Sequence, residues 1–268
     1  VGPVVVHASN GCLLAGAILG SLKAGRLCVP LAKNTPAERV QQLVEFSGAE
    51  SLISDDSEIL GKASGWSTSL EILDDSSLQT FEARRWDLER PEASFRSCCA
   101  QTPAFLMFTS GTEGRPKPVI LCHRNIVREC NHFRKSLGLR QDDRASWFHA
   151  SSVLAGLREL LMPLLTGCSV NAFNYAESGA VEMASWLNRE RITVCRFVPS
   201  MFRQFCSLLG PGDTFPNVRV FYIGGERVLP GDVDLFRQHF PNARKFSIVY
   251  GSTETGLCLE NAIPAEGA

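Results

Sequence analysis

The sequence predicts an α/β fold in which mostly parallel sheets are covered by helices. Short runs rich in β-branched residues recur along the chain, and segments with the apolar spacing of helices separate most of them. Two strands that are joined through a helix run parallel, so this alternation predicts parallel pairing. The chain has 268 residues, of which 44% are hydrophobic and 21% charged, and this is enough to build a sizeable core.

The first part of the chain reads as alternating strands and helices. The first helix is predicted to end at Ala24, before Gly25, because glycine is common just after a helix. For the second helix, Thr35 is the predicted cap, Pro36 the first helical residue, and Glu38 completes a capping box. The predicted strands are 4–8, 27–31 and 51–54, and the second helix is 36–46.

Residues 55–103 lose this periodicity and are rich in Ser, Asp, Glu and Arg, which predicts a connector with little chemistry. Its acidic pairs, Asp55-Asp56 and Asp74-Asp75, are interpreted as turn formers. The alternation then resumes. The later strands are predicted at 104–108, 119–122, 146–149, 169–173, 193–198, 219–223 and 246–250, and the helices at 124–137, 153–165, 179–190, 200–209 and 231–239.

Composition excludes several classes of protein. There are 27 basic and 28 acidic residues, so the net charge of −1 gives no field that would gather nucleic acid. The longest apolar segments, 12–22 and 153–165, are shorter than the ~18 residues of a membrane span. None of the ten cysteines forms a C-x-x-C pair, which argues against zinc. Apart from the adjacent Cys98 and Cys99, most cysteines lie in apolar runs and are predicted to be buried and free, for example Cys12, Cys28, Cys168 and Cys195. Free cysteines indicate a reducing compartment, so the protein is predicted to be cytoplasmic.

One segment with the character of a phosphate loop follows the predicted strand 104–108. It combines small residues, hydroxyls and one lysine, which suit a polyphosphate: Thr109, Ser110, Gly111, Thr112, Gly114 and Lys117. It does not match G-x-x-x-x-G-K-[ST], so a kinase-like P-loop is excluded. A plain hairpin turn remains open.

A second polar segment follows the predicted strand 246–250. Tyr250, Gly251, Thr253 and Glu254 present an aromatic face, a hydroxyl and a carboxylate at the end of a strand, where ligands of parallel sheets gather. This set suits a base, a phosphate and Mg²⁺. Taken alone, a polar loop is at least as good an interpretation.

Together these segments resemble a known family. "FTSGTEGRPK" followed by "YGSTETG", with "AGRLCVPLAKNTPAERV" upstream and "GGERVLP" between, is similar to the adenylate-forming (AMP-binding) superfamily of acyl-CoA synthetases, peptide-synthetase adenylation domains and luciferases. The resemblance covers 1–54 and 104–268 well and 55–103 weakly. It implies the family's (ANL-type) large N-terminal domain, incomplete at both ends, with the small lysine-bearing C-terminal domain lying outside these residues.

The resemblance also implies an activity, in which a carboxylate attacks the α-phosphate of MgATP and the acyl group then passes to a thiol, either CoA or the phosphopantetheine of a carrier domain. Thr109 to Lys117 would hold the β- and γ-phosphates, and Tyr250 would stack on adenine beside Gly251. Thr253 would bind the α-phosphate, and Glu254 would ligate Mg²⁺. The edge of the base pocket would be formed by the backbone of Gly224, Gly225 and Glu226.

Two positions depart from the family pattern. Glu113 stands where threonine is common, and Pro118 where glycine is common, so reduced activity is one expectation. Because the predicted missing parts include a catalytic lysine, we expect these 268 residues alone to turn over little. A non-catalytic docking module of the same fold is the alternative. A dinucleotide-binding enzyme is disfavoured, since no G-x-G-x-x-G follows the first strand.

The acid substrate is read from the segment that begins "FHASS". His149 is a candidate residue of the acid pocket, with an ordinary structural histidine as an equal alternative. Amino-acid-activating relatives place an aspartate where Leu154 stands, and no carboxylate lies between Trp147 and Arg158. This favours an acid without an α-ammonium group, whereas the Gly-Gly-Glu turn favours peptide-synthetase relatives. The conflict stays open.

Overall fold

A computed structural model describes residues 2–66, 70–74, 98–109 and 116–263. The chain divides into two compact units, each with its own sheet. The first comprises Val1–Val127 and Ala150–Ala155, and the second comprises Arg128–His149 and Gly156–Ala268. The predicted α/β class with mostly parallel sheets is confirmed.

The first unit is built on a six-stranded sheet of order β4-β3-β1-β2-β5-β6. All its pairs are parallel except β5 with β6, which forms an antiparallel hairpin at the edge. Its strands are β1 (Val4–His7), β2 (Cys28–Leu31), β3 (Ser51–Ser54), β4 (Glu71–Leu73), β5 (Pro103–Thr109) and β6 (Lys117–Cys122), and its helices are α1 (Cys12–Lys23), α2 (Ala37–Ser47) and α3 (Ser57–Ala63).

The predicted cap of α2 is wrong. The helix begins at Ala37, and Pro36 occupies the cap position with an extended ψ of 148° and no side-chain hydrogen bond. Thr35 lies too far upstream to cap, and its amide instead donates to the carbonyl of Ala32 in a turn. The helix still seats its apolar face, because Val40 and Leu43 are buried in the core of this unit.

Part of the predicted connector is also structured. Residues 55–103 include helix α3 and strand β4, which pairs parallel with β3. Asp56 caps α3 by accepting from the amides of Glu58 and Ile59, and Lys33 binds Asp55 at 2.7 Å. The acidic pair is therefore a helix cap and an ion pair. Asp75 lies outside the described residues.

The second unit is built on a six-stranded sheet of order β12-β11-β10-β9-β7-β8. Its pairs are parallel except β11 with β12, again a hairpin at the edge. Its strands are β7 (Arg144–Trp147), β8 (Ser169–Ala172), β9 (Val194–Phe197), β10 (Val220–Gly224), β11 (Lys245–Ser252) and β12 (Gly256–Ile263). The remaining helices are α4 (His123–Ser136), α5 (Leu154–Thr166), α6 (Tyr175–Arg189), α7 (Pro199–Cys206) and α8 (Pro230–His239).

The core of the second unit is a cluster of phenylalanine rings. Phe197, Phe202 and Phe221 are fully buried, and their ring centroids lie 4.9 to 5.7 Å apart. Aromatic pairs at this separation add to the free energy gained by burial. This cluster fixes the face of β9 and β10 that carries Phe197 and Phe221, so Arg196 and Tyr222 point to the other face, because side chains alternate along a strand.

Most predicted elements are confirmed with shifted ends. The strand predicted at 146–149 is Arg144–Trp147, so His149 lies two residues beyond it. Helix α6 is interrupted at Gly179, where φ is 73°. Strand β12 was not predicted at all. Its residues include the exposed Leu259 and lack a strand-like apolar pattern.

The cysteine prediction holds in part. All ten cysteines are free, and Cys28, Cys168 and Cys195 are buried as predicted. The burial prediction is wrong for Cys12, which is exposed at the first position of α1. Among the described residues, no helix has the length and apolar character needed to cross a membrane.

Candidate functional site

The first predicted motif closes the edge hairpin of the first unit. Thr109 ends β5, Lys117 begins β6, and the two residues are opposite each other in the antiparallel register. Lys117 is exposed. Ser110, Gly111, Thr112, Gly114 and the atypical Glu113 lie outside the described residues. A turn between two strands and a phosphate loop are therefore compatible interpretations of the same segment.

Pro118 fits its position without disrupting the sheet. It pairs with Phe108 in strand β6, which lies at the edge of the sheet. Proline is tolerated on an edge strand because its missing N–H need not pair with a further strand. Proline at position 118, where the family commonly has glycine, is therefore compatible with the geometry of the hairpin.

The second motif closes the edge hairpin of the second unit. Tyr250 and Gly251 lie within β11, and a three-residue turn carries Thr253 and Glu254 before the chain returns as β12. Gly256 ends the turn with φ of 68°, the left-handed conformation that three-residue hairpin loops require. Tyr250 is 68% exposed, so its ring face is available for stacking.

Hydroxyl groups inside this turn hold one another. The Ser252 and Thr255 oxygens lie 3.0 Å apart, and the Thr255 amide donates to Ser252 Oγ at 3.2 Å. These contacts leave Thr253 and Glu254 at the tip of the loop. The tip is thus a preformed turn that presents one hydroxyl and one carboxylate.

A buried ion pair anchors the same hairpin. Glu129 of α4 accepts from the amide of Leu257 at 2.7 Å and from Arg158 of α5 at 2.8 Å. Both ionic side chains are about nine-tenths buried, and the Arg158 guanidinium lies 4.5 Å from the ring centroid of Phe133. A Cβ at Gly256 would overlap Oε1 of Glu129. The carboxylate therefore fits against this glycine and ties the hairpin to two helices.

The Gly-Gly-Glu turn follows β10. Gly224 packs so closely on the carbonyl of Val249 that a Cβ there would overlap it, and Gly225 has φ of 98°. Glu226 accepts from Ser200 Oγ at 2.7 Å and from the Ser200 amide at 2.8 Å. These two bonds hold the pKa of Glu226 below its ordinary value of 4.5. The turn is thereby pinned to the first residues of α7.

His149 is bound to a carboxylate that the sequence did not reveal. Its Nδ1 contacts Oε1 of the buried Glu159, while the amides of Phe148 and His149 each donate to Oε2 at 3.0 Å. Burial acts to raise the pKa of Glu159, but the hydrogen bonds and charge of His149, together with the charge of Arg196, outweigh it and lower the pKa. His149 is thus held in a fixed orientation, whether or not it touches an acid.

Arg196 lies beside this pair. It is 3% exposed, its Nη1 is 3.8 Å from Oε1 of Glu159, and its Nη2 donates to the carbonyl of Gly224 at 3.3 Å. Burial lowers the pKa of its guanidinium from the ordinary value. This side chain connects the predicted acid-pocket residue His149 with the predicted edge of the base pocket within one unit.

Sequence reasoning missed the four charged residues that organise this region: Glu129, Arg158, Glu159 and Arg196. One signal was present, because Arg158 and Glu159 interrupt an otherwise apolar helix, and charged residues are rarely buried unless paired. Arg196 in the buried strand β9 is a second such signal. Their partners could not be read from sequence, since Glu129 lies 29 residues from Arg158.

The predicted magnesium ligand is one carboxylate. Among the described residues, no group of three or more His, Cys, Asp or Glu side chains could hold a metal. Glu254 is exposed at the tip of its turn, and a carboxylate oxygen is the ligand type that Mg²⁺ prefers. Mg²⁺ usually binds through one or two carboxylates with substrate phosphates and waters, so this donor fits as a partial ligand.

The family follows from a comparison with known protein families. The family described as AMP-binding enzyme matches residues 2–267. The chain belongs to this family.

Curated relatives of the AMP-binding enzyme chain include large synthases. Surfactin synthase subunit 2 of Bacillus subtilis (strain 168) is 28% identical over 245 residues, which are 90% of this chain and 6% of that protein. The chain therefore spans less than a tenth of the length of this relative.

Solved structures share the fold. The chain superimposes on VinN in complex with L-aspartate with a TM-score of 0.81 and 22% identity, over 98% of this chain and 66% of that one. For the N-terminal subdomain of Klebsiella oxytoca NpsA in complex with 3-hydroxybenzoyl-AMSN, the TM-score is 0.81 at 23% identity, over 100% and 65%. These structures confirm the predicted fold class, which is α/β with mostly parallel sheets covered by helices.

Proposed function

We propose that this chain is the nucleotide- and acid-binding part of an enzyme that uses ATP to activate a carboxylic acid as an acyl-adenylate. The observation that carries the proposal is the β11–β12 hairpin, whose locked turn presents Thr253 and Glu254 in a chain that belongs to the AMP-binding family. The two structural neighbours support it, because their descriptions name an amino acid and an acyl-AMSN compound.

In the proposed reaction, a carboxylate oxygen of the acid attacks the α-phosphorus of ATP. The bond from that phosphorus to the bridging oxygen of the β-phosphate breaks, pyrophosphate leaves, and a mixed anhydride with AMP remains. Because no covalent bond to the protein forms, the protein acts mainly by positioning the reactants and stabilising the charge that develops.

Each hairpin has its own role in this proposal. Lys117 and Thr109, with the glycines and hydroxyls between them, hold the β- and γ-phosphates through an ammonium group, amides and hydroxyls. Thr253 donates to the α-phosphate, and Glu254 ligates magnesium. Mg²⁺, when bound, neutralises phosphate charge.

The remaining residues hold the adenosine. Tyr250 offers its exposed ring for stacking on adenine, and Gly251 lets the backbone approach closely. Gly224, Gly225 and Glu226 line the base edge through their backbone, since the Glu226 carboxylate is already bound to Ser200.

His149 is the proposed residue of the acid pocket, with its ring oriented by Glu159. The L-aspartate named with VinN favours an amino acid substrate, whereas Leu154, buried at the first position of α5, supplies no carboxylate for an α-ammonium group. Transfer to a thiol completes the proposal. A sulfur atom attacks the acyl carbon and AMP leaves, with CoA or the phosphopantetheine of a carrier domain as acceptor.

ATP–pyrophosphate exchange tests the function. A panel of carboxylic acids with and without an α-amino group is screened with the 268-residue chain and with the longest natural protein that contains it. We expect acid-dependent exchange in the longer protein and little in the chain alone. Equal rates in both would contradict the need for further residues, and no exchange with any acid would contradict the function.

Binding of MgATP separates this proposal from the non-catalytic docking module. Calorimetry on the wild type and on Glu254→Ala is expected to show weaker nucleotide binding in the variant. Identical titrations without heat in both would favour the docking module. Glu177→Ala is the control, because Glu177 is an exposed carboxylate in the first turn of α6 and lies outside both hairpins.

A further inference from the structure

Arg196 carries hydrogen-bond donors that the fold leaves without acceptors. Its Nε and Nη1 are buried and have no hydrogen-bond partner among the described residues. A buried N–H group that lacks an acceptor is costly, and the great majority of such groups in native proteins are paired. These two donors therefore need an explanation.

Glu159 does not supply the missing acceptor. Its Oε1 is bound by His149 and its Oε2 by two backbone amides. Nη1 of Arg196 remains 3.8 Å from Oε1, which is beyond hydrogen-bond distance. The other carboxylate of this network, Glu129, is bound to Arg158 and to the amide of Leu257.

The guanidinium is close to the surface that the proposed function uses. Its Nη2 donates to the carbonyl of Gly224, and a Cβ at Gly225 would lie 3.8 Å from Nη2. Gly225 is exposed, so the Nη2 end of the guanidinium lies beneath an exposed stretch of backbone. The guanidinium thus lies between Glu159, which binds His149, and the turn of Gly224 and Gly225.

We infer that Arg196 is a specificity-determining residue that binds a second anionic group of the acid substrate, so that the preferred substrates are dicarboxylic acids. This inference rests on the proposed function, and it adds the class of acid. A carboxylate is the acceptor that matches a guanidinium best, because it takes two parallel N–H bonds and neutralises the charge. A monocarboxylic acid with a plain hydrocarbon chain leaves Nε and Nη1 of Arg196 unpaired.

Thermal stability in the presence of an acid provides a first test. Arg196→Met removes a hydrogen bond to the Gly224 carbonyl and a positive charge close to the buried Glu159, so its own Tm is expected to fall. We expect a saturating concentration of succinate, with MgATP, to raise the Tm of the wild type but not that of Arg196→Met, because only the wild type has the donors that bind the second carboxylate. An equal rise in Tm in both proteins would overturn the inference.

Arg203→Met is the contrasting control. Arg203 donates two hydrogen bonds to Asp232, which is 1% exposed, so its removal strands a buried carboxylate and is expected to lower Tm by roughly 5 °C or more. Arg203→Met is expected to keep the rise in Tm with succinate, because Arg203 already binds Asp232 and takes no part in the proposed site.

Binding is measured by calorimetry on the 268-residue chain in the presence of MgATP, with succinate and glutarate compared with butyrate and pentanoate. We expect at least tenfold tighter binding of the dicarboxylates, and we expect Arg196→Met to abolish this preference while leaving the monocarboxylates within about twofold. Arg196→Lys should keep part of the preference, because it retains the charge but not the bidentate geometry. Equal affinities for matched acids, or a preference that survives Arg196→Met, would overturn the inference.

Exchange with the same four acids distinguishes the two proposals. Dicarboxylate binding that depends on Arg196 without exchange in the longer protein would support the site and contradict the proposed activity. Exchange that is equally fast with matched acids would support the activity and contradict the role of Arg196.

Discussion

The two edge hairpins of this chain share a topology and differ in what holds them. Each closes one side of a six-stranded, mostly parallel sheet, and each carries one of the two polar motifs. The β11–β12 hairpin is bound by the buried pair Glu129–Arg158. Among the described residues, no ion pair ties β5 or β6 to the rest of the first unit.

Because of this difference, we expect the first hairpin to affect the proposed chemistry alone and the second to affect both chemistry and folding. In the first hairpin, Lys117 is exposed at the base of the loop, so changing it should alter function alone. In the second, the turn that presents Thr253 and Glu254 rests on a buried carboxylate, so its support also contributes to folding. Substitutions in the two hairpins should therefore have different effects on stability and activity.

The largest expected effect comes from breaking the buried pair. Arg158→Met leaves the Glu129 carboxylate buried with only an amide donor, and we expect the free energy of unfolding to fall by about 3–5 kcal/mol. Urea denaturation measures it. Arg189→Met is the control, because Arg189 and its partner Glu182 are 57% and 50% exposed, and such pairs contribute less than about 1 kcal/mol. Equal losses of unfolding free energy in the two variants would show that the buried pair stabilises the protein no more than the exposed pair does.

Lys117→Met should affect nucleotide chemistry without affecting folding. We expect pyrophosphate exchange in the longer protein to fall by about 10²–10³, as for removal of one preorganised donor, with unfolding free energy unchanged to about 0.5 kcal/mol. Lys62→Met is a control, since Lys62 pairs with Glu58 on the surface of α3, outside both hairpins. An unchanged exchange rate in Lys117→Met would remove the lysine from the proposed phosphate site.

Gly256→Ala sharpens the comparison within the second hairpin. The left-handed φ of 68° and the overlap with Glu129 should cost about 1–3 kcal/mol of unfolding free energy. Gly231→Ala lies in α8 with open space around its Cβ, and we expect it to be neutral or to stabilise by up to about 1 kcal/mol. Urea denaturation of both variants measures the two changes in unfolding free energy. Equal changes would show that glycine is not specifically required at position 256.

The smallest effect concerns the pKa of Glu226. Its folded pKa is depressed by Ser200, so the stabilisation is present above the ordinary value of 4.5 and is lost as pH falls through the lower folded value. Ser200→Ala should move the pKa of Glu226 back towards 4.5. A carbon-detected NMR titration of the Glu226 carboxyl group measures this, and an unchanged pKa would show that Ser200 is not the cause.

Much of the fold could be predicted from sequence, because local patterns carry it. Buried parallel strands such as Cys28–Leu31 are short apolar runs between helical segments. The motifs also lie at strand ends as predicted. Thr35 failed as a cap because the proline that follows it stays extended, so the helix begins one residue later than predicted.

The supporting charges could not be predicted in the same way. Glu159 is near His149 in sequence, but their contact depends on how α5 packs, and Arg196 comes from a strand that lies further along the chain. Strand β12 was missed because none of its residues is buried and an antiparallel edge strand needs no apolar run. Long-range pairing of this kind is fixed by tertiary structure.

The most direct test of the account is a crystal structure of this chain with Mg²⁺ and a non-hydrolysable ATP analogue. We predict that Lys117 and Thr109 contact the β- and γ-phosphates, and that Thr253 contacts the α-phosphate with Glu254 on the metal. A nucleotide that touches only one of the two hairpins, or that binds elsewhere, would contradict the proposal that both bind the same triphosphate.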